Sequence, residues 1–429
     1  MDADVLIIGA GMAGLAAARQ LARHGLRALL LEARDRPGGR LWSEHPGGLR
    51  VPVEFGAEFV HGGNALLRAA LRQAGVKLRP VRRDMWVSAP GEIRRQHEYW
   101  TGLARVADRI PPGTKRSFGT FLRSAGGLDA AERNRLRAFA EGFNAAPANR
   151  MSAEVIRADR GGVDTPQSRP DRGYEWLVRA LAAQVAAAGV EIRPGTPVTE
   201  IRWRRGSVEA HTARGVFRAR AAIVTLPLGV LQAGAVAFAP ALREKSRVIR
   251  RLGWGHVARV TLRFDADLWA GDLVPHALRR RGRAHFGFLT VPDAEFPTWW
   301  TPDPREPVLV GWVGGPRAES LLKLSRAACL RRALRSLAGA WQQPAAALHR
   351  KLRGGWTHNW TTDPWTRGAY SYAVAGYESG PALLAKPVAD TLFFAGEATA
   401  EELGTVHGAL ASGVRAAEEA GRSLAKGGR

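Results

Sequence analysis

One stretch near the start of the chain, Val5-Leu6-Ile7-Ile8-Gly9-Ala10-Gly11-Met12-Ala13-Gly14, constrains the fold more than any other. Four apolar residues, Val5 to Ile8, read as a buried parallel strand, and the amphipathic run from Met12 to His24 reads as the helix after it. Between them Gly9 permits a tight turn, Gly11 lets a pyrophosphate approach the backbone, and Gly14 lets helix and strand pack closely. The first helical turn, with Met12 and Ala13, offers free N–H groups to phosphates. A second apolar strand, Ala28 to Leu31, ends in Glu32, at the spacing where an acid accepts hydrogen bonds from ribose hydroxyls. A carboxylate there repels the 2′-phosphate of NADP. A glycine turn that only packs a helix on a sheet has no need of Glu32.

After Glu32 comes Ala33-Arg34-Asp35-Arg36-Pro37-Gly38-Gly39-Arg40, flexible backbone with guanidinium groups where a phosphate-rich ligand would continue. Near the other end, Phe393-Phe394-Ala395-Gly396-Glu397-Ala398-Thr399 reads as the returning half of a flavin site. Between them lie Glu54-Phe55-Gly56-Ala57-Glu58-Phe59-Val60-His61-Gly62, Thr225-Leu226-Pro227-Leu228-Gly229-Val230-Leu231, Leu252-Gly253-Trp254-Gly255 and the segment Trp360 through Tyr372. Gly404-Thr405-Val406-His407-Gly408-Ala409 follows. On these motifs the chain resembles, over nearly its whole length, the flavin-containing amine oxidase family of monoamine oxidases, polyamine oxidases and lysine-specific histone demethylases.

The resemblance implies an α/β fold with two parts, each discontinuous in sequence. One is an FAD-binding Rossmann-like domain of the glutathione-reductase and p-hydroxybenzoate-hydroxylase type, expected over residues 1–75, 173–230 and 386–429. The other is an α+β substrate domain over 76–172 and 231–385. Besides the front motif and Glu32, the implied cofactor contacts are Arg34, Gly39, Arg40, the loop Gly56, Ala57, Glu58 and Phe59, and Val198, where the family lays adenine against a strand. Glu397 is expected to bind from the other side. Thr405 and Val406 open a helix running to Ala420, whose positive end favours negative charge on reduced flavin. Further expectations are a helix from Tyr174 through Ala188, a strand at Val190 to Arg193, another at Ala222 to Thr225, and a helix over Ser325 to Trp341. The proline-rich stretch Pro292 to Pro307 reads as surface loops.

The implied chemistry is hydride transfer from the carbon next to an uncharged amine, which an apolar, aromatic-lined pocket favours. Tyr370 takes the place of one wall of the family's aromatic cage, and Trp360 belongs to the same site. The opposite wall, a tyrosine in monoamine oxidases, is Thr405 here. Trp365 and Tyr372 are divided between the site and ordinary core. Where most of the family carries a lysine that holds a water against the flavin, this chain has Arg259. A guanidinium donates to water but does not lose a proton. Slower reoxidation by oxygen, a changed substrate, or both would follow; the alternative is an Arg259 that simply pairs with a carboxylate. His61 falls where polyamine oxidases line the substrate channel, able to orient an amine or take its proton. A histidine bonded only to backbone is the other reading. His407 reads as ordering the turn that follows. Ala369 stands where monoamine oxidases tether their flavin through cysteine, so FAD is expected to be non-covalent.

The chain has 429 residues, enough for two sizeable cores, with 45% hydrophobic and 24% charged residues. No tract is long enough to span a bilayer and no signal peptide precedes the first strand, so a soluble, cytoplasmic protein is expected. Cys329 is the single cysteine, which excludes internal disulfides, and no metal is expected. The net charge of +24 comes from arginines dispersed along the chain, without a nucleic-acid motif, and no specific nucleic-acid partner is expected. Three functions stand open. The first is oxidation of a primary or secondary amine, with oxygen as acceptor and hydrogen peroxide as product. The second is a desaturase or dehydrogenase of the same fold that acts on a carbon skeleton, with Arg259 binding a carboxylate and a non-oxygen acceptor. The third is a basic flavin-carrying protein that binds polyanions.

Overall fold

In the computed structural model, residues 1–97, 99–159 and 166–426 are described. A five-stranded, wholly parallel sheet runs in the order Glu191–Arg193, Ala28–Leu31, Val5–Ile8, Ala221–Val224 and Leu392–Phe394. The three middle strands are buried at every residue, which is why they read as unbroken apolar runs rather than alternating ones. Alternation survives in where the side chains go. Val5 and Ile7 face the helices Met12–Arg23, Tyr174–Ala187 and Val406–Lys426, while Leu6 and Ile8 face a second layer. That layer is a four-stranded sheet ordered Gly215–Ala219, Ser207–Thr212, Val198–Arg204 and Ala237–Ala239.

Small residues let the first and last helices cross closely. A Cβ on Gly413 would lie 2.1 Å from the Ala13 carbonyl oxygen, and one on Gly14 would lie 1.9 Å from that of Gly9. The two ends of the chain therefore meet at the head of one sheet.

A seven-stranded sheet builds the second core, in the order Leu352–Trp356, Val257–Phe264, Val308–Gly314, Thr298–Trp300, Phe288–Thr290, Met85–Ala89 and Glu92–Arg95. Helix Arg326–Trp341, capped by Ser325 at the Ala328 N–H, packs on it through Cys329, Leu334 and Leu337. The stretch Pro292 to Pro307, expected as surface loop, contributes a central strand instead. Trp299 and Trp300 in it are buried at 0% and 3% exposure. Its prolines were misleading because Pro297 and Pro302 flank Thr298–Trp300 without removing a ladder N–H.

Helix Ala130–Asn144, opened by a capping box between Asp129 and Glu132, ends against this sheet. Trp312 Nε1 donates to the Gly142 carbonyl at 3.1 Å, and a Cβ on Gly314 would come within 2.4 Å of the same oxygen. That contact sets Phe139 and Phe143 over the space between the two cores.

Candidate active site

A single cavity of about 1610 Å³ reaches from the first glycine turn into the second core. It exceeds the roughly 300–1,000 Å³ usual for one small ligand, so it has room for a cofactor and a substrate together.

At the nucleotide end the residues fit a dinucleotide. Gly11 lines the cavity with nothing within 4 Å of where a Cβ would sit, and the same holds for Gly396 at φ +124°. Ligand atoms can therefore approach both backbones. No side chain caps helix Met12–Arg23 and its first turn holds no acid, so its N–H groups remain available to an anion. Glu32 accepts from the Ala10 N–H at 2.7 Å and the Arg34 N–H at 2.9 Å. Burial raises its carboxyl against those two bonds. Each oxygen keeps a lone pair for a hydroxyl donor. Pro197 and Val198 complete the wall.

The arginines after Glu32 tie distant segments together. Arg34 donates to Asp363 at 2.7 Å and Thr366 at 2.9 Å. Arg40 donates to the Ala369 carbonyl at 2.7 Å and to Glu397 at 2.9 Å. Glu397 also receives the Ser371 hydroxyl and, at 2.9 Å, the Gly404 N–H. Gly39, Arg40 and Glu397 thus stand together on the cavity wall.

In the middle of the cavity the loop Gly56, Ala57, Glu58 and Phe59 meets Arg259. A Cβ on Gly56 would lie 1.8 Å from the Arg40 carbonyl, so the loop and the arginine turn touch backbone to backbone. The Glu58 side chain, expected among cofactor contacts, is engaged by protein groups. Arg169 Nε donates to one oxygen at 2.5 Å and Arg259 Nη2 to the other at 2.6 Å, while Trp300 Nε1 adds a bond of 2.9 Å. Burial would raise this carboxyl, but the two guanidinium groups outweigh it and hold it below the usual carboxylate range. Arg259 also donates to the Gly56 carbonyl at 3.2 Å, and its Nε is buried without a partner. Arg259 pairs with a carboxylate and also lines the cavity.

Tyr370 lines the same region and donates through its hydroxyl to the Phe143 carbonyl at 2.8 Å. Thr405 accepts the Gly408 N–H at 3.0 Å and so caps helix Val406–Lys426, with Val406 beside it on the wall. Trp360 is 5% exposed, fixed by a 2.7 Å bond from its indole to the Phe55 carbonyl, and still touches the cavity. Trp365, 39% exposed, also lines it, whereas Tyr372 belongs to a hydrophobic core. His61 lies between Phe59 and Phe143, with ring centroids 6.0 and 5.9 Å away. Burial, helped by His407, pushes its imidazole down to about 4. His407 pairs with Glu402 in the turn before its helix.

Sequence reasoning passed over Asp363, Arg169 and Trp300. Asp363 holds both Arg34 and His358; burial would raise its carboxyl, but those bonds pull it to about 2. Its place in the Trp360 to Tyr372 motif was a usable signal. Arg169 and Trp300 had none, since each acts through Glu58, more than a hundred residues away in the chain.

Residues 12–420 match the family model for flavin containing amine oxidoreductases. The chain belongs to that family. Its cofactor is FAD, in keeping with the cradle described above. Among relatives, the chain is 32% identical to lysine-specific histone demethylase 1 homolog 1 of Oryza sativa subsp. japonica, over 96% of this chain and 52% of that one. The chain spans about half the length of the demethylases it matches. Polyamine oxidase 3 of the same organism is 30% identical over 97% of this chain and 88% of its own. A putrescine oxidase solved with putrescine superposes with a TM-score of 0.79 at 22% identity, covering 98% and 99% of the two chains, which shows a shared fold. Among the described residues of this family member, no helix is long and apolar enough to cross a membrane and no three His, Cys, Asp or Glu side chains are grouped to hold a metal ion.

Proposed function

We propose that this chain is an FAD-dependent amine oxidase that converts a primary or secondary amine to an imine, which water hydrolyses to a carbonyl compound. The carrying observation is that one cavity joins the cradle of Gly11, Glu32 and Glu397 to a chamber walled by His61, Tyr370 and Trp300. When bound, FAD supplies the two-electron acceptor for hydride from the carbon bearing nitrogen, and oxygen takes those electrons to give hydrogen peroxide.

The protein's part is to bind and orient the amine and to favour its uncharged form. Aromatic walls disfavour an ammonium and favour the free amine that can react. His61, neutral above about pH 4, can orient the free amine by accepting a hydrogen bond from its N–H through a ring nitrogen, and its low basicity rules it out as the group that takes the amine's proton. Tyr370 and Thr405 flank the reacting end, with Tyr370 held by the Phe143 carbonyl and Thr405 by the helix it caps. The cofactor contacts in this reading are Gly9, Gly11, Met12, Ala13, Gly14, Glu32, Gly39, Arg40, Val198, Glu397 and Val406. The two-part division at residues 75/76, 172/173, 230/231 and 385/386 belongs to the same proposal. It is supported by the parallel sheet drawing strands only from 1–75, 173–230 and 386–429.

Anaerobic mixing of the purified yellow protein with a panel of amines tests the proposal. Bleaching of the flavin band, followed on admitting air by one peroxide per turnover, is expected. Full reduction by carbon acids with none by any amine would defeat it.

A further inference from the structure

We infer that the amine oxidised here carries an extended apolar group, aryl or alkyl, in place of a second ammonium; this deepens the amine-oxidase reading and rests on it. A run of rings leads away from His61 along the cavity. His61 meets Phe143 edge-on, Phe143 stacks on Phe139 at 5.6 Å with planes 12° apart, and Phe139 meets Tyr99 and Trp100 at 5.9 and 6.0 Å. All five line the cavity. They come from the short strand Val60–His61, from helix Tyr99–Asp108 and from the last turns of helix Ala130–Asn144, so only the fold assembles the run.

Such a wall removes apolar substrate surface from water and offers ring faces and edges for aromatic contact. A diamine or polyamine has a different need. Its distal ammonium must leave water for a site where a carboxylate is free to receive it. Outside the nucleotide cradle, four of the seven lining carboxylates among the described residues are already paired with a basic side chain. Glu58 serves Arg169 and Arg259, Glu154 serves Arg157, Glu378 serves Lys115 and Ser152, and Glu402 serves His407, while Glu141 accepts the Ala148 N–H through one oxygen and has no cation partner among the described residues. Asp293 and Glu401, which have no such partner, are solvent-exposed, where water screens them. Two buried guanidinium groups on the single Glu58 carboxylate add a net positive charge to the wall, which opposes a dication.

The test compares 2-phenylethylamine and octylamine with putrescine and spermidine on the purified holoenzyme, reading kcat/KM and the anaerobic rate of flavin bleaching. A binding arm uses α,α-dimethylphenethylamine, which has no hydrogen on the carbon bearing nitrogen and binds without turnover, against tert-butylamine. The phenyl-bearing probe is expected to bind at least about tenfold tighter to the wild type. Phe139→Ala and Phe143→Ala are expected to shrink that ratio several-fold, and Phe143→Leu, which retains apolar bulk, to shrink it less. Phe143 is 39% exposed, so its replacement leaves the core intact. Higher kcat/KM for putrescine or spermidine overturns this inference and leaves the amine reading standing. A probe ratio unmoved by both alanine variants also overturns it. Failure of both amine classes to bleach the flavin overturns the amine reading, and this inference falls with it.

Discussion

Arg259 Nη2 lies 2.6 Å from Glu58 Oε2, inside a wall where Arg169 holds the other oxygen of the same carboxylate. Two cations therefore share one buried anion. Glu58→Gln leaves both guanidinium groups uncompensated and is expected to destabilise the protein by about 3–5 kcal/mol. Arg259→Met removes one cation and leaves the Arg169–Glu58 pair matched, so its loss should be clearly smaller. Urea denaturation of the two variants checks the order, and the reverse order would show that the cluster is not electrostatically coupled.

Gly11 and Gly14 should fail in different ways. A Cβ on Gly11 meets no protein atom within 4 Å but enters the cavity, whereas a Cβ on Gly14 collides with the Gly9 carbonyl at 1.9 Å. Gly11→Val is expected to fold and be purified with little flavin. Gly14→Ala is expected to give mostly insoluble chain. Flavin-to-protein absorbance ratio and soluble yield separate the two.

Glu54 predicts a pH trend in stability. Burial pushes its carboxyl up to about 8, opposed by bonds from Ser43 and the Tyr174 N–H. Its folded form thus holds a proton that the unfolded chain releases near pH 4.5, so stability falls as pH rises from there through 8. Glu54→Gln copies the neutral form and should flatten that fall. Because each tenfold change in proton affinity is worth about 1.4 kcal/mol, the gain near pH 8 should reach a few kcal/mol. Tm measured from pH 5 to 9 for both proteins checks it, and parallel curves would refute it.

His61 titrates the other way. Burial and His407 lower it to about 4, so in the fold it stays neutral where the unfolded side chain would protonate near 6.5. Its contribution to stability is lost as pH falls from about 6.5 to 4. Being neutral at working pH, it should not set the acid limb of kcat/KM. That limb is expected to follow the amine's own pKa when the substrate is changed, and a limb fixed near 6.5 for every amine would contradict this.

Much of the first core was legible because each signal is local. Val5–Ile8, Ala28–Leu31 and the helix from Met12 were placed within a residue, since an unbroken apolar run, a glycine turn and a 3.6-residue period need no distant partner. The strand Thr298–Trp300 was missed because prolines on either side mark turns equally well beside a loop or beside a buried strand.

From its residue order alone the chain determined a glycine turn between strand and helix, the acid Glu32 at the end of the second strand, the joining of its two ends at one sheet and the family of flavin enzymes it resembles. The turn and its strands follow from backbone geometry and short-range periodicity, which neighbouring residues set among themselves. The family and the meeting of the two ends are what the resemblance of motifs along nearly the whole chain implies. The charge balance around Glu58 and the ring run from His61 to Trp100 came from folding, because Arg169, Arg259 and Trp300, like Tyr99 and Phe139, meet across long loops. Burial then fixed what each group can do: whether Glu58 keeps its charge, whether His61 stays neutral, and which carboxylates are left to greet a substrate.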